Sequence, residues 1–194
     1  PLLGPAAATN IAAAIAGALA LLDRPATAAE LASMAAGLGS VEAVPGRLRP
    51  VTTSGGALIL DDSYNSNPRS VVAALAAALE VVAHRRSAVP GARLILALGD
   101  MLELGDFAPA AHDEMVRRAE AASADRLILI GPESSAAALR VRPRIPVRTF
   151  ADSRSAALDF SSDPGGQLRT GDVLLVKGSR GIRTEEIVSA LATT

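Results

Sequence analysis

The chain has 194 residues, of which 49% are hydrophobic and 2% aromatic, and 19 basic and 20 acidic side chains give it a formal net charge of -1. This length fits one substantial domain, or one domain plus part of another. The charge balance excludes a basic surface for nucleic acid or an anionic membrane, and the absence of cysteine excludes disulfides, thiolate catalysis and cysteine-ligated metals. The apolar run at residues 11–22 is too short to span a bilayer. We therefore expect a cytoplasmic protein with no nucleic-acid partner and no membrane insertion.

Residues 1–43 are predicted to form two short helices. An Ala-rich stretch without proline indicates the first helix over residues 10–22. The string TAAE at residues 27–30 is a capping-box pattern, which predicts a second helix over residues 28–36. Two helices of this size bury little apolar surface on their own. We interpret residues 1–43 as the tail of a preceding domain.

Residues 44–194 are predicted to form an α/β domain. Two alternating segments around Gly55 and Gly56 indicate a hairpin, and a helix is predicted over residues 68–82 with Asn67 at its N-cap. Four apolar runs, one of them weaker, indicate strands, and three of these lead into a glycine and then a helical stretch. The runs lie at residues 94–98, 127–130, 147–150 and 173–176. This pattern predicts a mostly parallel sheet with flanking helices, in which ligands bind beyond the carboxyl ends of the strands.

A polar segment, DDSYNSNP at residues 61–68, follows the second strand of the hairpin and precedes a helix. Its two carboxylates lie beside the positive end of that helix, where they can hold a ribose, a metal-bound water or the cap itself. A strand-to-helix turn rich in Asx residues is an equally good interpretation.

Two further polar segments follow buried strands. The string LGDMLELGD at residues 98–106 places apolar side chains among acids, and we interpret Glu103 and Asp106 as solvated. The string VKGSRG at residues 176–181 contains Lys177, the only lysine beside 18 arginines. Its glycines and charges favour an anion such as a carboxylate or phosphate. The lysine precedes the glycines, so the segment is not a Walker A loop.

The two histidines are not interpreted as catalytic. His84 lies near the end of the helix that starts at residue 68, where a cation complements the helix dipole. His112 lies in a helix predicted to begin near Pro109, and we expect it at the surface. Neither histidine has a Ser or Asp partner at a spacing typical of a hydrolase triad.

Four ordered motifs together resemble the Mur ligases. They are VPGR at residues 44–47, DDSYNSNP at 61–68, ALGDMLELG at 97–105 and VKGSRG at 176–181. The resemblance covers residues 44–181. The second and third motifs are most similar to those of the member that adds D-Ala-D-Ala to UDP-N-acetylmuramoyl-tripeptide.

The resemblance implies a Rossmann-like C-terminal ligase domain at residues 44–194 and, at residues 1–43, the helical tail of a central ATPase domain. It implies ATP and Mg²⁺ as cofactors, with the metal ligands mainly in the central domain. The other substrates would be UDP-N-acetylmuramoyl-tripeptide and D-Ala-D-Ala, and the remaining partner would be the rest of the same polypeptide. This chain has no Gly-Lys-Thr phosphate loop, so we expect it to be inactive alone.

The resemblance also implies two sets of binding residues and no catalytic or metal-ligating residue in this chain. The ATP-binding residues would be Asn10, Arg47, Asp62 and Asn65. The acceptor-binding residues would be Asp100, Lys177, Gly178, Ser179 and Arg180. Asn10 matches the last position of the family pattern Gly-x-His-Asn-x-x-Asn, whereas Ala6 and Ala7 stand at its His and first Asn positions.

The expected function is ATP-dependent formation of an amide bond through an acyl phosphate, with this domain closing on ATP and positioning the acceptor dipeptide. Two alternatives remain open. The chain could belong to another Mur-type or folylpolyglutamate-type amide ligase, or it could be a non-catalytic ligand-binding or interaction module with the same fold.

Overall fold

The computed structural model describes residues 4–162 and 168–192. Within these residues, six strands form one sheet and seven α-helices precede or flank it. The helices are α1 (Gly4–Ala20), α2 (Ala28–Gly39), α3 (Pro68–Ala88), α4 (Ala108–Ala121), α5 (Pro132–Val141), α6 (Ser153–Ser162) and α7 (Glu185–Ala192). The strands are β1 (Arg49–Thr52), β2 (Leu58–Asp62), β3 (Leu94–Gly99), β4 (Arg126–Ile130), β5 (Val147–Phe150) and β6 (Val173–Lys177).

The sheet has the order β1-β2-β6-β3-β4-β5. Strand β1 pairs antiparallel with β2, as expected for the hairpin, and the other neighbours are parallel. Strand β6 lies between β2 and β3, so that Asp62 is in register with Lys177, and Leu98 is in register with the same lysine on the other side. The predicted α/β fold with a mostly parallel sheet is confirmed.

Both faces of the sheet are covered by apolar side chains. Helices α3, α4 and α5 supply one core, which includes Val82, Val116 and Ala137. Helices α6 and α7 supply the other, which includes Phe160 and Ile187. Alternate residues of each central strand point into opposite cores, which explains why β3, β4 and β6 consist of continuous apolar runs rather than alternating ones.

The N-terminal helices differ in extent from the prediction. Helix α1 runs from Gly4 to Ala20 rather than over residues 10–22. After it, the Leu21 and Leu22 N–H groups donate to carbonyls three residues back, and Asp23 has a φ of 51°. The capping box that begins α2 is confirmed. None of the described side chains in residues 8–43 is buried, and so α1 and α2 contribute no side chain to either core.

Helix α3 is longer than predicted. Its N-cap Asn67 accepts a hydrogen bond from the Ser70 N–H, and Pro68 occupies the first turn, both as expected. The helix continues past residue 82 to Ala88 because no glycine or proline interrupts it before Pro90. Proline disfavours helical backbone in the residue before it, and Val89 is accordingly extended.

Candidate functional site

The three polar segments meet at one edge of the sheet. They follow β2, β6 and β3, which are neighbours, and each segment starts at the carboxyl end of its strand. Helix α3 leaves β2 toward one face, whereas α7 follows β6 and covers the other. Chain connections that diverge in this way open a crevice, the usual position for ligands in α/β sheets.

The turn after β2 binds the segment that precedes β1. Asp61 Oδ2 accepts a hydrogen bond from the Gly46 N–H at 2.9 Å, and the Tyr64 N–H donates to the Gly46 carbonyl at 3.0 Å. Gly46 has a φ of 74°, and a Cβ there would lie 2.9 Å from the Tyr64 nitrogen. Only glycine fits this close approach, so the first two motifs form one unit.

Asp62 and Lys177 form a hydrogen-bonded ion pair. The Lys177 ammonium group donates to Asp62 Oδ2 at 2.6 Å and to the Asn65 carbonyl at 2.8 Å, and only 2% of its side chain is exposed. Asp62 Oδ1 accepts a hydrogen bond from the Leu48 N–H at 3.1 Å. The structure therefore joins two predicted ATP-binding residues to a residue predicted for the acceptor.

Burial determines the electrostatics of this pair. It raises the pKa of Asp62 above the ordinary value of an aspartate, while the charge and hydrogen bond of Lys177 and the Leu48 N–H act to lower that pKa. The lysine thus stabilises the ionised carboxylate against the cost of desolvation.

Tyr64, the only tyrosine, makes cation–π contacts with two arginines. The guanidinium carbon of Arg47 lies 4.4 Å from the ring centroid and that of Arg180 lies 5.9 Å away. Both arginines are exposed. They come from the first and fourth motifs, so these motifs meet at a side chain of the second.

Asp100, predicted to bind the acceptor, is buried and holds helix α5. Its carboxylate accepts hydrogen bonds from the Ser134 N–H at 2.7 Å and the Glu133 N–H at 3.1 Å. Gly131, with a φ of 107°, allows this approach, since a Cβ there would lie 2.5 Å from the carboxylate. Both carboxylate oxygens are therefore occupied within the protein.

The Gly178–Ser179 turn is also buried and bonded internally. The Ser179 N–H donates to the Asp100 carbonyl at 3.1 Å, and its hydroxyl accepts from the Leu102 N–H at 2.9 Å. A Cβ on Gly178 would lie 2.6 Å from the Thr184 methyl group. The expectation that consecutive N–H groups of this turn converge on an anion does not hold for Ser179, whose N–H is already bound. Arg180 alone in this turn extends an exposed charge.

The expectation of a surface position for His112 is wrong. Its side chain has no exposed area. The Met101 N–H donates to Nε2 at 2.9 Å, so the ring proton lies on Nδ1, which bonds to the Ala108 carbonyl at 2.7 Å. His112 thus fixes the loop after β3. The missed signal is its place on the apolar stripe that continues with Met115, Val116 and Ala119.

The remaining predictions have simpler outcomes. Asn10 is exposed on α1 and makes no hydrogen bond with the three turns in the described part of the chain. His84 is exposed near the end of α3, and Glu103 and Asp106 are exposed as expected. Among residues 4–162 and 168–192, no three His, Cys, Asp or Glu side chains cluster as metal ligands. No helix in the same residues is long and apolar enough to cross a membrane.

Comparison with known proteins agrees with this geometry. The sequence profile of the family described as Mur ligase, glutamate ligase domain, matches residues 46–180. The chain is 38% identical over 184 residues to the UDP-N-acetylmuramoyl-tripeptide–D-alanyl-D-alanine ligase of Escherichia coli (strain K12). This match covers 94% of the chain but 36% of that protein, so the chain spans about a third of the relative's length.

Solved structures give the same result. The chain resembles a crystal structure of MurF from Acinetobacter baumannii with a TM-score of 0.75 and 26% identity, over 100% of this chain and 39% of that one. It also resembles the MurF ligase from Thermotoga maritima in complex with ADP, with a TM-score of 0.65, over 91% of this chain and 35% of that one. The second likeness has 22% identity and supports the fold alone.

Proposed function

Since the chain belongs to the Mur ligase family, we propose that it is the C-terminal part of an ATP-dependent ligase that joins D-Ala-D-Ala to UDP-N-acetylmuramoyl-tripeptide. Residues 44–194 would form the ligase domain and residues 1–43 the tail of a central ATPase domain. The reaction would serve cell-wall synthesis in the cytoplasm. The 38% identity to the Escherichia coli relative, over 94% of this chain, supports the proposal.

The proposed reaction has two steps. The terminal phosphoryl group of ATP is transferred to the carboxylate of the tripeptide, which gives an acyl phosphate and ADP. The amine of D-Ala-D-Ala then attacks the acyl carbon, phosphate leaves, the amide forms and the amine proton passes to solvent. Negative charge builds on phosphoryl and acyl oxygens, so the protein must supply fixed positive groups more than proton transfer.

The nucleotide would lie against the turn after β2. We propose that Asp62 binds the ribose, that Arg47 reaches the phosphates, and that Asn65 and Asn10 complete this side. Asp62 suits the role because Lys177 and the Leu48 N–H orient its carboxylate. Preorganised groups of this kind bind without losing further side-chain freedom.

The acceptor would lie beside the loop after β3 and the turn after β6. Asp100, Gly178 and Ser179 would shape this side through the backbone contact between the Asp100 carbonyl and the Ser179 N–H. Lys177 would link the two sides, because it directly precedes Gly178 while its ammonium group bonds to Asp62 and to the Asn65 carbonyl. Arg180 offers an exposed guanidinium group at the same edge.

Mg²⁺ would accompany ATP. The described residues contain no cluster that suits the ion, and octahedral Mg²⁺ takes oxygen ligands from carboxylates, phosphates and water. We propose that its protein ligands belong to the longer polypeptide, and we assign no step in this domain to the metal.

The observation that best supports the proposal is the Asp62–Lys177 pair, which joins two family motifs 115 residues apart at one sheet edge. The test uses the longer polypeptide that contains this chain, incubated with ATP, Mg²⁺, UDP-N-acetylmuramoyl-tripeptide and D-Ala-D-Ala. Mass spectrometry should detect a donor extended by the dipeptide, with one phosphate released per product. Omitting the dipeptide should abolish the extension.

Other outcomes would replace the proposal. Transfer of glutamate to a folate, with none of D-Ala-D-Ala to the nucleotide donor, would indicate a folylpolyglutamate-type ligase. Extension of the donor by a different amino acid would indicate another Mur-type ligase. Nucleotide binding with no amide formed from any of these acceptors would indicate a non-catalytic binding module.

A further inference from the structure

Tyr64 brings together two arginines that the sequence separates by 133 residues. Arg47 lies over the ring at 4.4 Å and Arg180 at 5.9 Å from the centroid. Both distances are within the range in which a guanidinium group is attracted to the ring electrons of tyrosine. The resemblance assigned these arginines to different ligands, ATP and the acceptor, yet their side chains share one platform.

The backbone beneath each of the three side chains is fixed. Tyr64 is held by its N–H bond to the Gly46 carbonyl, and Gly46 is held by Asp61. Arg47 directly follows Gly46. Arg180 directly follows Ser179, whose N–H binds the Asp100 carbonyl. Tyr64 is 46% exposed, so an anchored backbone presents a solvent-facing residue beside two charges.

The protein only weakly neutralises the two arginines at the ring. Arg47 makes no ion pair with any described residue. Arg180 contacts Glu185 at 3.5 Å, but its side chain is 69% exposed, and such a contact contributes little and is readily exchanged. An open cleft of about 210 Å³ beside the ring is lined by Arg180, Tyr64 and Gly46, together with Arg49 and the carboxylates of Asp61 and Glu185. Each guanidinium group therefore presents exposed N–H donors to an anion.

We propose that Tyr64 is a positioning residue that holds Arg47 and Arg180 together, so that both guanidinium groups bind the phosphate chain of one ligand. Arg180 therefore serves the phosphates and does not bind the acceptor's carboxylate. Two planar guanidinium groups present paired N–H donors that match several oxygens of a polyphosphate. A dipeptide carboxylate offers one charge and two oxygens. That the ligand is ATP rests on the proposed function.

The first test measures binding of inorganic tripolyphosphate to the full 194-residue chain by isothermal titration calorimetry. Tyr64→Phe keeps the ring and should bind within about twofold of the wild type. Tyr64→Leu should weaken binding by about fivefold or more, since each exposed cation–ring contact contributes a factor of about two to five. Arg180→Gln should weaken binding by about tenfold.

Arg183→Gln is the matched control. This arginine lies three residues after Arg180, is 70% exposed and pairs with Glu186. Its loss should change tripolyphosphate affinity by less than about twofold, because it does not contact the ring. If Arg183→Gln and Arg180→Gln weaken tripolyphosphate binding equally, net charge alone explains the effect and the proposal is overturned. The proposal is also overturned if the wild type shows no detectable binding. Thermal melting of Tyr64→Leu should match the wild type, which separates positioning from loss of fold.

The second test uses the longer ligase with D-Ala-D-Ala and with its C-terminal amide. Arg180→Gln should raise KM for ATP at least fivefold and should discriminate against the amide as strongly as the wild type. If Arg180→Gln no longer discriminates against the amide, Arg180 binds the acceptor's carboxylate and the proposal is overturned. If the longer protein forms no amide at all, the proposed function fails, whereas the calorimetric result for the chain still decides the role of Tyr64.

Discussion

The Lys177 ammonium group lies 2.6 Å from Asp62 Oδ2, so the last residue of β6 is bonded to the last residue of β2. These strands are neighbours only because β6 inserts between β2 and β3. The pair therefore depends on the complete sheet, and it fixes the relative positions of the two turns that follow.

Lys177→Met should destabilise the chain by about 3 kcal/mol, because it leaves the Asp62 carboxylate buried without its partner. The double variant Lys177→Met/Asp62→Asn should lose less stability than the two single variants lose in sum, since it removes both charges. Urea denaturation of the four proteins measures this coupling. Additive losses would show that the pair contributes nothing beyond its separate residues.

Lys177→Met should also raise the pKa of Asp62 further above its ordinary value. Burial already raises this pKa, and the lysine is the main group that opposes the rise. Without the nearby positive charge, the carboxyl group keeps its proton to higher pH. Carbon-13 NMR of the aspartate carboxyl groups gives the titration directly, with Arg183→Gln as a control. An unchanged or lower pKa in Lys177→Met would contradict the contact seen here.

Asp172 should make the stability of the chain depend on acid pH. Burial acts to raise the pKa of Asp172. Hydrogen bonds from the Arg93 side chain and from the backbone N–H groups of Arg93 and Arg169 outweigh burial and lower this pKa. The pair thus stabilises the fold above the unfolded-state pKa of about 4, and this contribution is lost as pH falls through the lower folded-state value.

Urea midpoints between pH 7 and pH 2 test this pH dependence. In Asp172→Asn the midpoint should be lower at pH 7 and should fall less between pH 4 and pH 2 than in the wild type. Asp106→Asn, at an exposed carboxylate, should follow the wild-type curve. If the urea midpoint of Asp172→Asn still falls steeply at acid pH, other carboxylates cause the loss of stability.

His112→Leu should destabilise the chain by about 1–3 kcal/mol, because the buried Met101 N–H loses its acceptor. His112→Gln supplies a side-chain oxygen that can accept this hydrogen bond, so it should lose less stability than His112→Leu. Hydrogen exchange at the Met101 amide checks the cause, since it should accelerate in His112→Leu. Unchanged exchange would mean that the loop keeps its conformation without the histidine.

The 194-residue chain alone should not hydrolyse ATP, because it contains no Gly-Lys-Thr phosphate loop and its described residues form no metal cluster. A phosphate-release assay with ATP and Mg²⁺ measures this, with the proposed longer ligase and its proposed substrates as the positive control. If the chain alone releases phosphate above the protein-free background, this domain contains catalytic groups.

Local signals predicted most of the fold. Asn67 and Pro68 determine the start of α3, the Thr27–Glu30 capping box determines the start of α2, and continuous apolar runs identify the central strands. These features depend on hydrogen bonds and burial within a few residues. The start of α1 is not predicted by local signals, because its first residues show no helical periodicity of apolar side chains and no polar N-cap.

The side-chain contacts of the site needed the tertiary structure. The polar segments after the strands of a parallel sheet predict ligand binding at the carboxyl ends, but only the sheet order determines that Lys177 faces Asp62 rather than an external ligand. His112 is buried because its position on the apolar stripe of α4 outweighs the polarity of its side chain. The common ring beneath Arg47 and Arg180 depends on backbone contacts between three motifs, which no spacing encodes.

The central position of β6 has a consequence for how the chain folds. Strand β6 is the last strand in the described sequence, yet it pairs with β2 and β3 on its two sides. During synthesis on the ribosome, β2 and β3 therefore have a gap between them until residues 173–177 emerge. Such long-range pairing slows folding, and unpaired strand edges invite aggregation. A nascent chain that stalls before residue 173 should consequently depend on chaperones, because only the insertion of β6 completes the described sheet.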